Sequence, residues 1–212
     1  MEIQTPPAVL MSAMTTEHLV LQTAANGTVS EAAARSTLYV MALSSSLVAM
    51  GFSAQTAGFL FPFSATVFPA VFVLGLFTVS RLVDTSIEYR QCLVGIARVR
   101  GFYRSLGPEA AGHFATKNGR WPEAKPPSAQ SGPFFAFLST AASMIAVINN
   151  TLAGAAVGLL VHARMDHPSV WVAVGVGAFI TAALTRVFMK YQRWRFRAFE
   201  NHDPDEVTRV TD

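Results

Sequence analysis

Several groups of side chains have types and spacings that chemistry uses. Asp84, Glu88 and Cys92 recur at i, i+4 and i+8, which on a helix stacks two carboxylates and a thiol on one face. No His accompanies them and a hard cation wants more oxygen ligands. An ion-paired helix face, with Arg81 three residues before Asp84, is therefore the plainer reading. His162, Asp166 and His167 fall together in a short segment, but His at a spacing of five is not a helical ligand pair. Two polar triplets, Ser44-Ser45-Ser46 and Asn149-Asn150-Thr151, interrupt long apolar runs, and Gly154 and Gly158 follow the second as a GxxxG pair. Lys190, Arg193, Trp194, Arg195 and Arg197 interleave cations with aromatics near the C-terminus. The lone Cys92 allows no intramolecular disulfide and no thiolate metal cluster. The chain has no G-x-S-x-G, no H-E-x-x-H and no phosphate-cradling glycine loop, and its acids are scattered. No enzyme activity, metal or cofactor is expected.

The elements that must hold these groups are set by missing charge. Only 14% of the 212 residues are charged, against about 25% in an average soluble domain. No Lys, Arg, Asp or Glu occurs over 36–80 or over 126–163. A soluble domain cannot hide such runs, because its helices need a wet face. A spanning helix takes about 20 apolar residues to cross a core of about 30 Å. The first gap holds two spans, at 36–56 and 62–81, with Pro62 in the first turn of the second. The other two lie at 134–161 and 168–188, separated by the His162–Pro168 turn. The expected fold is all-α: a polytopic membrane protein with four transmembrane helices in two hairpins, and with helical extensions.

Outside the spans, residues 1–14 read as a disordered lead-in, and Thr16 to Arg35 as an amphipathic helix weakened at Asn26-Gly27. Domain by domain, 15–106 holds this helix, the first hairpin and a projecting helix over 82–106, which would reach ~37 Å at 1.5 Å per residue. Residues 107–132 read as a flexible connector, 133–189 as the second hairpin and 190–212 as a basic-aromatic tail. The apolar members of 82–106, among them Val83, Ile96, Val99 and Leu106, need a covering surface from the same chain or a neighbour.

All 16 basic residues can be assigned a side, and only Arg164 falls away from the termini. That bias places both termini and the 82–132 segment in the cytoplasm. The expected location is the plasma membrane, the inner membrane of a bacterium. Residues 1–34 contain no Lys or Arg, unlike a secretory signal. The net charge of +3 is small and sits at membrane exits, which points to anionic lipid headgroups and away from nucleic acid. An offset of 105 residues lays Leu43–Leu47 on Ile148–Leu152 and Ser80-Arg81 on Thr185-Arg186, the pattern of a parallel duplication, although membrane sequence gives chance matches easily.

The chain resembles a family of small actinobacterial multi-pass membrane proteins. The resemblance rests on Glu17–Thr23, Ser30–Arg35, Arg81–Glu88, Ile96–Tyr103 and Val147–Asn150, and covers most of 15–190. It implies an architecture and no catalytic residue.

Two functions are compatible with these features. In the first, the triplets and the GxxxG pair are interhelical glue in a non-enzymatic protein that self-associates, or takes an unidentified protein partner, in a structural, regulatory or membrane-perturbing role. In the second, Ser44–Ser46 and Asn149–Thr151 line a passive channel or small-solute conduit. No ionisable residue lies in mid-membrane, which argues against ion-coupled transport.

Overall fold

The computed structural model describes residues 7–56, 58–114, 140–165 and 169–202, and every element within them is an α-helix. In chain order these are α1 (Pro7–Ser53), α2 (Leu60–Arg104), α3 (Pro108–His113), α4 (Ala141–Arg164) and α5 (Val170–His202). Four of them, all but α3, are long and apolar enough to cross a membrane. The protein is an all-α, multi-pass membrane protein.

The helices join what the sequence separates. α1 begins at Pro7, a residue suited to a first helical turn, so the expected lead-in over 1–14 is helical from there on; residues 1–6 lie outside the described residues. It then runs through Asn26-Gly27 without a break, so the amphipathic helix and the first span are one element. α2 likewise fuses the second span to the projecting helix. At 1.5 Å per residue each is about 70 Å long, more than twice the hydrocarbon thickness. Gly58, at φ 77°, lets the chain reverse between them. Within the connector expected to be flexible over 107–132, Pro108–His113 forms a short helix. Tyr103 and Phe114 pack there with ring centroids 5.1 Å apart. Residues 115–132 of that connector, and the expected start of the third span at 134, lie outside the described residues. α5 carries the span onward into the basic tail as far as His202.

Why α1 and α2 pair along their whole length is visible in a seven-residue period. His18, Ala25, Ala32, Tyr39, Ser46 and Ser53 are buried or half-buried, each seven residues after the last. On α2, Gly75, Leu82, Tyr89, Ile96 and Tyr103 repeat the spacing, interleaved with Thr78, Thr85, Cys92 and Val99. A strict seven-residue repeat is the signature of supercoiled helices. The pairing is antiparallel: Thr15 lies by Tyr103, Leu21 packs on Gly95, Glu31 bonds Arg81, and Tyr39 sits near Phe72. Small residues let the axes approach; a Cβ on Gly95 would stand 3.0 Å from the Leu21 methyls. The spans therefore continue, on the side of the chain termini, as a two-helix stalk. Of the apolar residues that 82–106 offers, Leu106 is exposed while Val83, Ile96 and Val99 are buried, so the covering surface comes from the same chain, from α1 and, at Val83, also from the helix that follows residue 140.

α4 and α5 form the second antiparallel hairpin, and α4 lies against α2. The core is centred on Tyr39, Val79, Leu82, Val83, Ala142, Ile145 and Ala146, where α1, α2 and α4 meet.

Candidate functional site

The polar side chains of the spans converge on α4. Asn149 is buried and bonds two other helices at once: its Oδ1 accepts from the Tyr39 hydroxyl at 3.1 Å and its Nδ2 donates to the Phe72 carbonyl at 3.2 Å. Gly75 makes room for it, since a Cβ there would lie 2.7 Å from Asn149 Nδ2. Asn150 turns to the other side and donates to Thr185 Oγ1 of α5 at 3.2 Å, while the Thr181 hydroxyl bonds both the Asn150 carbonyl and the Gly177 carbonyl of its own helix. One heptad back, Ser143 donates to Gln192 Oε1 at 3.2 Å, and Gln192 Nε2 donates to Thr140 Oγ1 at 3.4 Å. Thr140 is also the N-cap of α4, accepting from the Ser143 amide. Each buried amide is thus satisfied by a neighbouring helix of the same chain, as an apolar environment requires.

Small residues complete the α4–α5 contact. A Cβ on Gly158 would lie 2.8 Å from the Ala173 carbonyl oxygen, and one on Gly177 2.8 Å from that of Gly154. The Gly154–Gly158 pair therefore packs on α5 of its own chain, backbone against backbone.

The first triplet behaves differently. Ser44 and Ser45 are exposed, and Ser46 is half-buried and bonds back to the Ala42 carbonyl. Thr151 is exposed and bonds back to the Val147 carbonyl. The two triplets therefore face no common space within the chain. The 105-residue offset would make Ser44 and Ser45 equivalent to Asn149 and Asn150, yet one pair is exposed and the other buried. The two halves do not share their packing.

Charged groups gather where the spans meet the stalk. Arg81 bonds Glu31 of α1 at 2.8 Å and Glu88 at 3.0 Å, and Glu31 also holds Arg35 at 2.8 Å. The Arg81 and Arg35 guanidiniums hold the Glu31 carboxyl down at about 2, well below its ordinary 4.5. Asp84 pairs with Arg195 of α5, not with the Arg81 that its spacing suggests. The Asp84 carboxylate holds the Arg195 guanidinium more firmly protonated. Glu31, Arg81, Asp84 and Arg195 thus form a collar joining α1, α2 and α5. Burial pushes the Cys92 thiol up, a poor setting for a nucleophile. Of the expected headgroup contacts, Lys190, Arg193, Trp194 and Arg197 are exposed, while Arg195 turns to Asp84. His162 is exposed, and Asp166 and His167 lie outside the described residues.

Between α2 and α4, towards the interhelical turns, lies a cleft of about 410 Å³ lined by Phe61, Phe68, Phe72, Ala156 and Leu160. Ser64 also borders it, with its hydroxyl donating to the Phe61 carbonyl. The lining suits hydrocarbon and offers no converging polar groups of the kind that orient a reacting substrate.

Tyr39, Thr181, Thr185 and Gln192 are polar partners that a residue-by-residue reading of the chain passes over. A seven-residue spacing was their signal, Ser143 to Asn150 on α4 and Thr185 to Gln192 on α5. In comparisons with protein-family models, curated proteins and solved structures, nothing matches this chain. The resemblance to actinobacterial membrane proteins stays a reading of the sequence.

Proposed function

We propose that the chain is a non-enzymatic structural protein of the bacterial plasma membrane, a four-span anchor that carries a stiff helical stalk on its cytoplasmic face and self-associates. One observation carries this reading: α1 and α2 pass unbroken from span to stalk and are tied at the boundary by the Glu31–Arg81 and Asp84–Arg195 pairs. Such a construction transmits position and orientation between the membrane and whatever meets the stalk. The cytoplasmic placement is supported by the basic residues: of those described, all but Arg164 lie at the stalk end of the spans. Trp194 and the exposed cations of α5 suit anionic headgroups at that level. The conduit reading has less support, because the carboxamides of Asn149 and Asn150 are engaged by Tyr39, the Phe72 carbonyl and Thr185.

The test is the subunit count in lipid nanodiscs by native mass spectrometry. Two or more copies are expected. A strict monomer overturns self-association.

A further inference from the structure

The face of α1 that points away from α2 carries a second seven-residue pattern, and within the chain nothing described covers it. Thr16, Thr23, Ser30, Thr37 and Ser44 form one row, all exposed. Val20, Gly27, Ala34, Met41 and Val48 form another, offset by four residues and equally exposed. The alternating three- and four-residue steps are those of a coiled-coil seam. Its large apolar members stand far out of the chain's own core: Val20 is 56% exposed, Met41 61% and Val48 60%. Leu19 and Leu47 flank it and are exposed as well. Lipid can cover the portion within the bilayer. Among the described residues nothing covers the stalk portion, where Val9, Leu19 and Val20 are exposed along a helix with one charged residue, Glu17, between Pro7 and Ser30.

We infer that this seam is the interface with a second copy of the chain, α1 against α1, parallel, about a twofold axis along the membrane normal. The inference rests on the self-associating reading and names its surface. Three arguments select a second copy. The occupant must be a long helix with a face that, like the two rows of α1, stays uncharged across the boundary between membrane and water at the same height. A copy inserted the same way presents such a helix, and a twofold axis brings each row opposite itself in register. The charges fit too. In a parallel pair the residue that follows each member of the Thr16 row faces the partner residue five positions earlier. Glu17 then meets Ser12 of the partner subunit and Glu31 meets Asn26 of the partner subunit, with no like-charge contact. Size agrees as well: from Val9 to Gly51 the seam is about 60 Å long, and a strip about 10 Å wide covers roughly 600 Å² per copy, close to the ~800 Å² per partner of a standard interface. Residues 115–139 fit less well, since they bring Lys117, Arg120, Glu123 and Lys125 to a surface that continues into hydrocarbon.

The experiment is disulfide scanning in proteoliposomes with Cys92→Ser as background, alongside native mass spectrometry. Single cysteines replace Val20, Thr23, Gly27 and Ser30 on the seam, and Thr15 and Val29, which are exposed off it. Expected are two copies per nanodisc and oxidative cross-linking to twice the 22.8 kDa chain mass at the seam positions only. Thr23→Glu should yield monomers, whereas Val29→Glu should not. A monomer in nanodiscs overturns both this interface and self-association. Associated copies that cross-link uniformly, or only off the seam, overturn the interface and leave self-association standing. A cross-link within one chain between Thr23→Cys and Trp121→Cys assigns the face to the connector and overturns the interface.

Discussion

The contact between Tyr39 and Asn149 can be weighed by a double-mutant cycle. Asn149→Ala removes two interhelical hydrogen bonds, from the Tyr39 hydroxyl at 3.1 Å and to the Phe72 carbonyl at 3.2 Å. Bonds of this kind within membranes contribute about 0.6 kcal/mol on average and up to about 1.7. The Phe72 carbonyl retains its place in the helix, but the Tyr39 hydroxyl is left buried without a partner, which costs about 1–3 kcal/mol. Asn149→Ala is therefore expected to destabilise by roughly 2–4 kcal/mol once the lost packing is included. Tyr39→Phe removes one bond and leaves Asn149 its second, so its cost should be about 0.6–1.7 kcal/mol. In the double variant no orphaned hydroxyl exists, and the combined loss should fall short of the sum by about 1 kcal/mol or more. Gly75→Ala sharpens the test, because its methyl occupies the space of the Asn149 amide. It should be costly in the natural chain and nearly neutral beside Asn149→Ala. Reversible unfolding in mixed micelles, followed by circular dichroism, reads all these differences. Strict additivity of Tyr39→Phe and Asn149→Ala would refute the reasoning, and so would a Gly75→Ala penalty unchanged by Asn149→Ala.

Gly158→Ala and Gly177→Ala each drive a methyl to within 2.8 Å of a facing carbonyl oxygen, so both should destabilise by about 1–3 kcal/mol in the same unfolding assay; Gly51→Ala, which meets nothing within 4 Å, should not. Reversing the Asp84–Arg195 pair as Asp84→Arg with Arg195→Asp should recover most of the stability that either single change removes; the interaction is worth about 0.2–1 kcal/mol, and absence of recovery would mean the two do not pair. The Glu31 carboxyl, held at about 2 against an ordinary 4.5, contributes stability that is complete above about pH 4.5 and lost as pH falls through about 2. Hydrogen exchange in the stalk should accordingly be unchanged between pH 8 and 5 after correction for the intrinsic rate, then rise towards pH 2. Glu31→Gln should show the loosened rates throughout and lose that pH dependence.

How much of this could be read from the chain differs by level. The spans were legible because a missing charge is an all-or-none signal: the runs over 36–80 and 126–163 admit no other solvent than lipid. The pairing was not. In lipid, apolar residues mark immersion rather than an inward face, so helix faces must be found from polar and small residues instead. Asn149, Asn150, Gly154 and Gly158 were visible as such, but their partners were not, because one hydroxyl among many carries no mark. Gln192 shows the difficulty: it sits in a stretch dominated by Lys190, Arg193 and Arg195 and reads as part of a solvated exit, yet it is fully buried against Ser143 and Thr140. Arg81 and Asp84, three residues apart, seemed made for each other; Glu31 and Arg195 arrive from other helices and take them separately.

These outcomes bear on where association can occur. On the sequence, three features called for partners: the apolar residues of 82–106, the Gly154–Gly158 pair and the adjacent asparagines. The fold answers each of them inside one chain, through α1, through α5, and through Tyr39, the Phe72 carbonyl and Thr185. An argument for association from those features loses its force. It is replaced by α1, whose inner row meets α2 while its outer rows repeat the same seven-residue spacing. A helix serving only as the stay of α2 needs a single seam, and in the water-exposed stalk its outer side would be expected to carry charge, as that of α2 does. α1 carries hydroxyls, alanines and valines there instead, over the full distance from Val9 to Gly51. Selection for solubility does not account for such a surface; the α1–α1 contact proposed above, with a helix of the same height and spacing, would.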